Sequence, residues 1–498
     1  MSKFLSRKIS SRFWAALGFA ALAILVFTLL IYKFWNFPNG LSDAEIASAT
    51  LAGNLDVKNF AAGGVVNLPW LLLQKLSIKI FGLSAFSLRL PAVMVAILAV
   101  AGVILIAYRA FAKKFGRTVA VVAGLLFATL PTFLLLARTG AAPIFTLFLL
   151  ILIVAAAAEI TTLDVGQPSA KIRALVWKIV LGAALALVIY APGGIYFAGA
   201  FVLVGLLHPK VRLMLVRVRL WKMAIGAAVG LVILSPLILA IVAEIGRGDG
   251  AIWRSLLDIP AQWSAANFGV ALGIIGGWTP GFRGGILTPI ANVALIILAL
   301  VGLWRLAKSI FAARTYLIFS LLIVAFGLAF VDPAQSFLLI LLLILLATVG
   351  VAALVDDWFS RFPRNPYARG LAVALLGALF VGVAWTNVGA TVWALNYNRA
   401  AVYAYDQEFS AVARYAAQNN SPKIQLVVAN SQRDFYAILA RENPKLTVVS
   451  SDVFAKNPSP AADAKLLILN SAKVENPPVP REIITNAQAK NSVLMRIY

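Results

Sequence analysis

The stretch WAALGFAALAILVFTLLIYKFWNFPNGLSDAEIASATLAGN, residues 14–54, passes from an unbroken apolar run into a short polar segment. Its first part, residues 14–32, matches the roughly 20 residues that cross a ~30 Å hydrocarbon core. No small-residue cleavage site follows closely, so the run reads as a retained anchor and not a removed leader. The second part places Asp43 and Glu45, two of only 19 acids in the chain, where the span leaves the bilayer. Their surroundings and the side they face decide what they can do.

Similar apolar runs recur along the 498 residues, which are 62% hydrophobic and 12% charged. That composition belongs to a polytopic membrane protein. There is no cysteine, which removes disulfides, thiolate metal sites and cysteine nucleophiles. The single histidine, His208, leaves no histidine triad and no multi-histidine zinc site.

The net charge of +24 is distributed in a telling way. Basic residues cluster in every second connection: Lys3, Arg7, Lys8 and Arg12; Arg109, Lys113, Lys114 and Arg117; Lys171, Arg173 and Lys178. The pattern continues at Lys210 to Lys222, Arg305 to Arg314, and Arg361 to Arg369. This is the positive-inside signature, so the charge sets orientation and calls for no nucleic acid. It predicts about eleven transmembrane helices near 14–34, 88–108, 118–137, 143–160, 174–190, 193–208, 222–243, 286–305, 315–331, 336–355 and 370–388. The N-terminus is then cytoplasmic and the two long loops, 35–87 and 244–285, are outside. Asp43 and Glu45 face the exterior.

Residues 1–388 thus read as the membrane domain, and composition changes at residue 389. From there EFSAVARYAAQNN and QRDFYAILAREN read as helices; KIQLVVAN, LTVVSS, AKLLILN and SVLMRIY read as strands. Alternation of this kind predicts a small α/β domain over 389–498, outside the membrane like the loops.

Within the opening stretch, Ser42-Asp43-Ala44-Glu45 has the form of a capping box, with both acids in a first helical turn. Side chains two positions apart on a helix diverge by about 200°, so the two acids do not share one direction unless Asp43 precedes regular helix. Capping alone accounts for the motif.

The segment from residue 40 to about 157 resembles the N-terminal part of GT-C glycosyltransferases that use polyprenyl-phosphate sugars, the superfamily of protein O-mannosyltransferases and lipid A aminoarabinose transferases. The resemblance rests on SDAEIASA (42–49), NLPWLLLQKLSIKIFGLSAFSLRLPAVM (67–94) and FATLPTFLLLARTG (127–140), with FGLSAFSLRLPA the most specific phrase. It implies an integral membrane transferase of the cytoplasmic membrane. Such an enzyme moves a sugar from a polyprenyl-phosphate donor to an acceptor (glycan, lipid or protein) outside, in one inverting step. A first-loop carboxylate serves as base, either Asp43 or Glu45. Without external histidine or cysteine, a carboxylate, lysine or tyrosine is what the sequence offers for that task.

For the lipid phosphate the matching arginines are Arg138, otherwise a snorkelling interfacial residue, and Arg89 of the RLP phrase, otherwise the start of a span. Lys58, Lys75 and Lys79 in the first loop and Arg283 in GGWTPGFRGG add positive candidates. The sequence departs from the family in three places. Alanine separates the two acids, Asn67-Leu68 replaces a basic residue before Pro69, and no acid follows Arg138. The last departure weakens any metal role, so no cofactor is assigned and a divalent cation stays open. Two other classes fit less of the pattern: a non-catalytic scaffold, and a lipid-linked sugar transporter or flippase, which calls for ionisable groups within spans.

Overall fold

A computed structural model describes residues 2–55, 65–111, 116–162, 168–209, 212, 220–248, 250–257, 265–276, 281–283, 285–418, 423–456, 464–474, 477–486 and 492–498. Six helices among them are long and apolar enough to span a membrane: Ala85–Arg109, Pro143–Thr162, Ile225–Ile245, Arg314–Val331, Pro333–Arg361 and Pro366–Tyr397. A seventh is formed if the bent pair Gly116–Thr129 and Pro131–Ala137 counts as one.

Every one of the eleven expected stretches carries helix, but several helices are shorter than a span. Gly194–Leu207 and Val293–Ala307 are apolar and short. The causes are local. Pro131 has no N–H for the preceding turn, so the chain bends by 70° there and a new helix starts. Near residue 286 the chain first forms a strand, Ile286–Thr288, and becomes helical only at Val293, where the Asn292 side chain accepts from Leu295 N at 2.9 Å.

The elements around the first loop are α1 (Ser2–Ile31), α2 (Asp43–Asn54), α3 (Leu68–Phe81), α4 (Ala85–Ile106), α5 (Gly116–Thr129), α6 (Pro131–Ala137) and α7 (Pro143–Thr162). The loop therefore holds two helices of its own. α3 buries Trp70, Leu71, Gln74, Ser77 and Ile78 and exposes Leu72, Leu73, Leu76 and Ile80. Elsewhere, helices Val293–Ala307 and Leu339–Arg361 touch backbone to backbone. A Cβ on Gly302 would lie 1.9 Å from Leu346 O, and one on Gly350 2.1 Å from Leu298 O.

The C-terminal segment builds a five-stranded sheet in the order β4-β3-β5-β7-β6. Its strands are β3 (Lys423–Val428), β4 (Leu446–Ser450), β5 (Ala464–Leu469), β6 (Glu482–Asn486) and β7 (Ser492–Ile497). The hairpin strands β1 (Gly281–Arg283) and β2 (Ile286–Thr288) come earlier in the chain. β3 is parallel to both β4 and β5, and β7 is antiparallel to β5 and β6. Parallel neighbours need crossovers, supplied by helices Arg433–Glu442 and Ser451–Lys456. The first crossover packs on α2: a Cβ on Gly53 would meet Ile438 Cδ1 at 2.3 Å. Its last residue, Glu442, accepts from Leu83 N at 2.7 Å in the α3–α4 turn. The sheet is thereby seated over the first loop.

Candidate active site at the C-terminal end of the first helix

The turn between α1 and α2 is held by two arginines. Arg89, fully buried on α4, donates from Nη1 to Pro38 O at 2.8 Å and more weakly to Phe34 O and Trp35 O, and from Nη2 to Gly40 O. Its Nε donates to Glu45 Oε1 at 2.8 Å and its Nη2 to Oε2 at 3.3 Å. Arg138, at the end of α6, donates from Nε to Leu29 O and from Nη2 to Tyr32 O, each at 2.8 Å, and from Nη1 to Phe37 O at 3.4 Å. Leu29 and Tyr32 stand at the end of α1, where carbonyls lack helical partners. Three of the five N–H groups of Arg138 are spent in this way.

Ser42 caps α2 with the full reciprocal box expected from SxxE: Glu45 N donates to Ser42 Oγ at 3.3 Å and Ser42 N to Glu45 Oε2 at 2.9 Å. The box turns Glu45 inward, where it is fully buried. Its Oε1 also accepts from Gly140 N at 2.8 Å, in the loop that follows Arg138. Both oxygens of Glu45, and every nitrogen of Arg89, are thus engaged with protein. Asp43, two residues earlier, is exposed. The two acids of the motif point apart, as helix geometry requires.

A third acid joins them from the other end of the chain. Leu41 and Asp406 form an antiparallel bridge, with each N–H donating to the other's carbonyl at 2.8 Å. Gly40 (φ +105°) makes the approach possible, because a Cβ there would lie 2.5 Å from Asp406 O. Asp406 Oδ1 accepts from Glu408 N at 2.9 Å, opening helix Glu408–Gln418. Burial raises the Asp406 carboxyl above its ordinary value, the bond from Glu408 N opposes this, and the charge of Asp43 adds to the rise. Asp406 was missed in the sequence, because nothing local in AYDQEF announces a partner so far away.

Tyr405 is buried and packs by ring contact on Phe282 of β1, with centroids 6.2 Å apart. The hairpin is tied to α6 by Thr132 Oγ1, which donates to Leu287 O at 2.7 Å. These contacts bring exposed Arg283 to the same end of the molecule as Asp43. Of the other candidates, Lys79 is exposed, Lys75 donates to Leu55 O, and Lys58 lies outside the described residues. Among the described residues no group of three or more His, Asp or Glu side chains is arranged to hold a metal ion.

The arrangement suits general-base chemistry. One exposed carboxylate sits on a helix whose orientation is fixed beneath it by a buried ion pair.

In sequence the chain matches no protein-family model and no curated protein. In structure it is similar to ArnT from Cupriavidus metallidurans bound to undecaprenyl phosphate, with a TM-score of 0.60 at 15% identity over 97% of this chain and 98% of that one. The same protein in its apo state gives 0.57 at 16% identity over 98% of both. The Archaeoglobus fulgidus oligosaccharyltransferase, tethered to an acceptor peptide, gives 0.53 at 12% identity over 87% of this chain and 63% of its own. ArnT is a lipid A aminoarabinose transferase, and both proteins are GT-C glycosyltransferases. The fold of this chain is theirs.

Proposed function

We propose that this chain, having the GT-C fold along nearly its whole length, is an integral-membrane glycosyltransferase that takes a sugar from a polyprenyl-phosphate carrier and gives it to an acceptor at the outer face of the membrane. The observation that carries the reading is the split of the SDAE motif. Glu45 is consumed by Arg89 and Gly140, whereas Asp43 stands exposed on the same rigid turn.

Asp43 then acts as the base. Its carboxylate takes the proton from an acceptor hydroxyl or amine, whose oxygen or nitrogen attacks the anomeric carbon of the donor sugar. The bond from that carbon to the phosphate oxygen breaks, its electron pair leaves with the lipid phosphate, and the anomeric configuration inverts. The leaving phosphate needs cationic donors. Arg283 is exposed for this, and Arg138 has two N–H groups beyond those it gives to carbonyls. Glu45 and Arg89 are positioning residues, holding the turn that presents Asp43. An acceptor seated between Asp43 and the C-terminal segment would meet both membrane and sheet, which suits a lipid-linked or glycan acceptor.

The first test is mass spectrometry of lipids that co-purify in mild detergent. Polyprenyl phosphate, free or glycosylated, enriched on wild type and depleted on an Arg283→Ala variant supports the donor class. Ordinary phospholipids alone on well-folded protein would remove it and move a non-catalytic scaffold ahead.

A further inference from the structure

The turns after β3 and β5 meet at the place where the chain's parallel strands change direction of travel across the sheet, the usual position of a crevice in such folds. Here that position is taken by a side chain of the protein itself. Glu408 is 4% exposed, and its Oε1 accepts from Ser471 N at 2.8 Å. Ser471 Oγ lies 2.5 Å from Glu408 Oε2 and 3.2 Å from Gln432 Oε1.

The hydrogen count at this carboxyl, which also shares a side-chain hydrogen bond with Asp406, bears on its state. A serine hydroxyl has one hydrogen, and both of its oxygen neighbours here are acceptors if Glu408 is ionised. One close contact would then lack a proton with the Gln432 amide oriented as it stands, its Oε1 toward Ser471. With Glu408 protonated the chain closes: Glu408 O–H donates to Ser471 Oγ, and Ser471 O–H donates to Gln432 Oε1. The group is also buried without an ion-pair partner among the described residues, where a charge is costly.

We infer that Glu408 is held as a neutral carboxylic acid and acts as a positioning residue, keeping the 405–408 segment, and with it Asp406, seated beside Asp43. The inference deepens the transferase reading and rests on it for its catalytic consequence. The segment is fastened at two points: the Asp406 main chain to Leu41, and the Glu408 side chain to the turn carrying Ser471. The titratable groups that face Glu408 are Asp406 on its own segment and the Tyr436 hydroxyl from helix Arg433–Glu442. Neither supplies a positive charge. Burial first, and then the Asp406 charge, push the Glu408 carboxyl up to about 7.

The sign of the pH effect follows. A folded-state value above the ordinary carboxyl value means that the protein binds the proton more tightly than the unfolded chain does. The stabilisation is therefore complete below about 4.5 and is lost as the pH rises through about 7.

The test uses the full chain in detergent or nanodiscs, comparing wild type with Glu408→Gln and Glu408→Ala. Glutamine keeps an acceptor for Ser471 N and a donor for Ser471 Oγ at every pH. Infrared difference spectra should show a protonated-carboxyl stretch at about pH 6 that is absent in Glu408→Gln and fades in wild type by about pH 8.5. Transfer by wild type should fall along an alkaline limb that Glu408→Gln lacks, while Glu408→Ala raises KM and lowers kcat at both pH values. An unchanged infrared band in Glu408→Gln, or alkaline limbs that coincide, would overturn the inference. A band that behaves as expected in a protein that transfers nothing would support the neutral acid and reject the transferase reading.

Discussion

Glu45 and Arg89 meet at 2.8 Å with both side chains wholly removed from solvent, and each also bonds to a segment that the other does not touch. Glu45 reaches Gly140 and Arg89 reaches Pro38 and Gly40, so one ion pair fixes α2, α4, the α1–α2 turn and the loop after α6. Removing one partner of such a pair strands a buried charge, at a cost of about 3–5 kcal/mol. Glu45→Gln and Arg89→Ala should each lower the midpoint of thermal unfolding in detergent substantially. A small shift in both would mean that the pair is not the fastening of this turn.

Asp43 should behave in the opposite way. Asp43→Asn keeps the Ser42 box intact and forfeits only a helix-dipole contribution of roughly 0.3–1 kcal/mol. As a lost general base it should cost about 10²–10⁴ in turnover. The comparison to make is kcat against unfolding midpoint for Asp43→Asn and Glu45→Gln. Full turnover in Asp43→Asn would end its assignment as base.

Gly40→Ala probes the approach of the distant acid. The new methyl collides with Asp406 O in a backbone region that disfavours alanine, so the Leu41–Asp406 bridge should open. Faster amide exchange at Leu41 and Asp406, with the membrane helices as protected as before, is the expected signature.

Gly302→Ala and Gly350→Ala test the membrane core away from the site. Each puts a Cβ within about van der Waals collision of a carbonyl on the facing helix, and overpacking of this kind costs about 1–3 kcal/mol. Both variants should unfold at lower temperature while retaining KM, since neither residue is near the first loop.

Much of this was readable in the chain, and the failures have physical causes. Apolar runs and basic connections give helix positions because they depend on local composition, which is why every expected stretch carries helix. Span lengths were less legible: Pro131 breaks a continuous apolar run, and residues 286–288 prefer hairpin pairing to helix. SxxE announces the cap, and helix geometry already separates the two acids. The partners of Glu45 are not in the motif, since Arg89 and Gly140 arrive through packing. β6 escaped notice because Glu482–Asn486 is an edge strand with little apolar signal. Asp406 depends on a bridge between segments from opposite ends of the chain, which no window of sequence contains.

That bridge also sets a schedule. Ribosomes deliver Leu41 early and Asp406 only after the membrane helices that lie between them. Until then the edge at Gly40 and Leu41 has no partner, α2 lacks the helix that covers it, and the turn at Leu83 lacks its acceptor on Glu442. A chain stopped short of Asp406 should therefore insert its helices yet transfer no sugar, detectable as membrane-integrated but inert protein. On the proposed reading, assembly is then its own quality check, with transfer possible only once the tail has come back to the beginning.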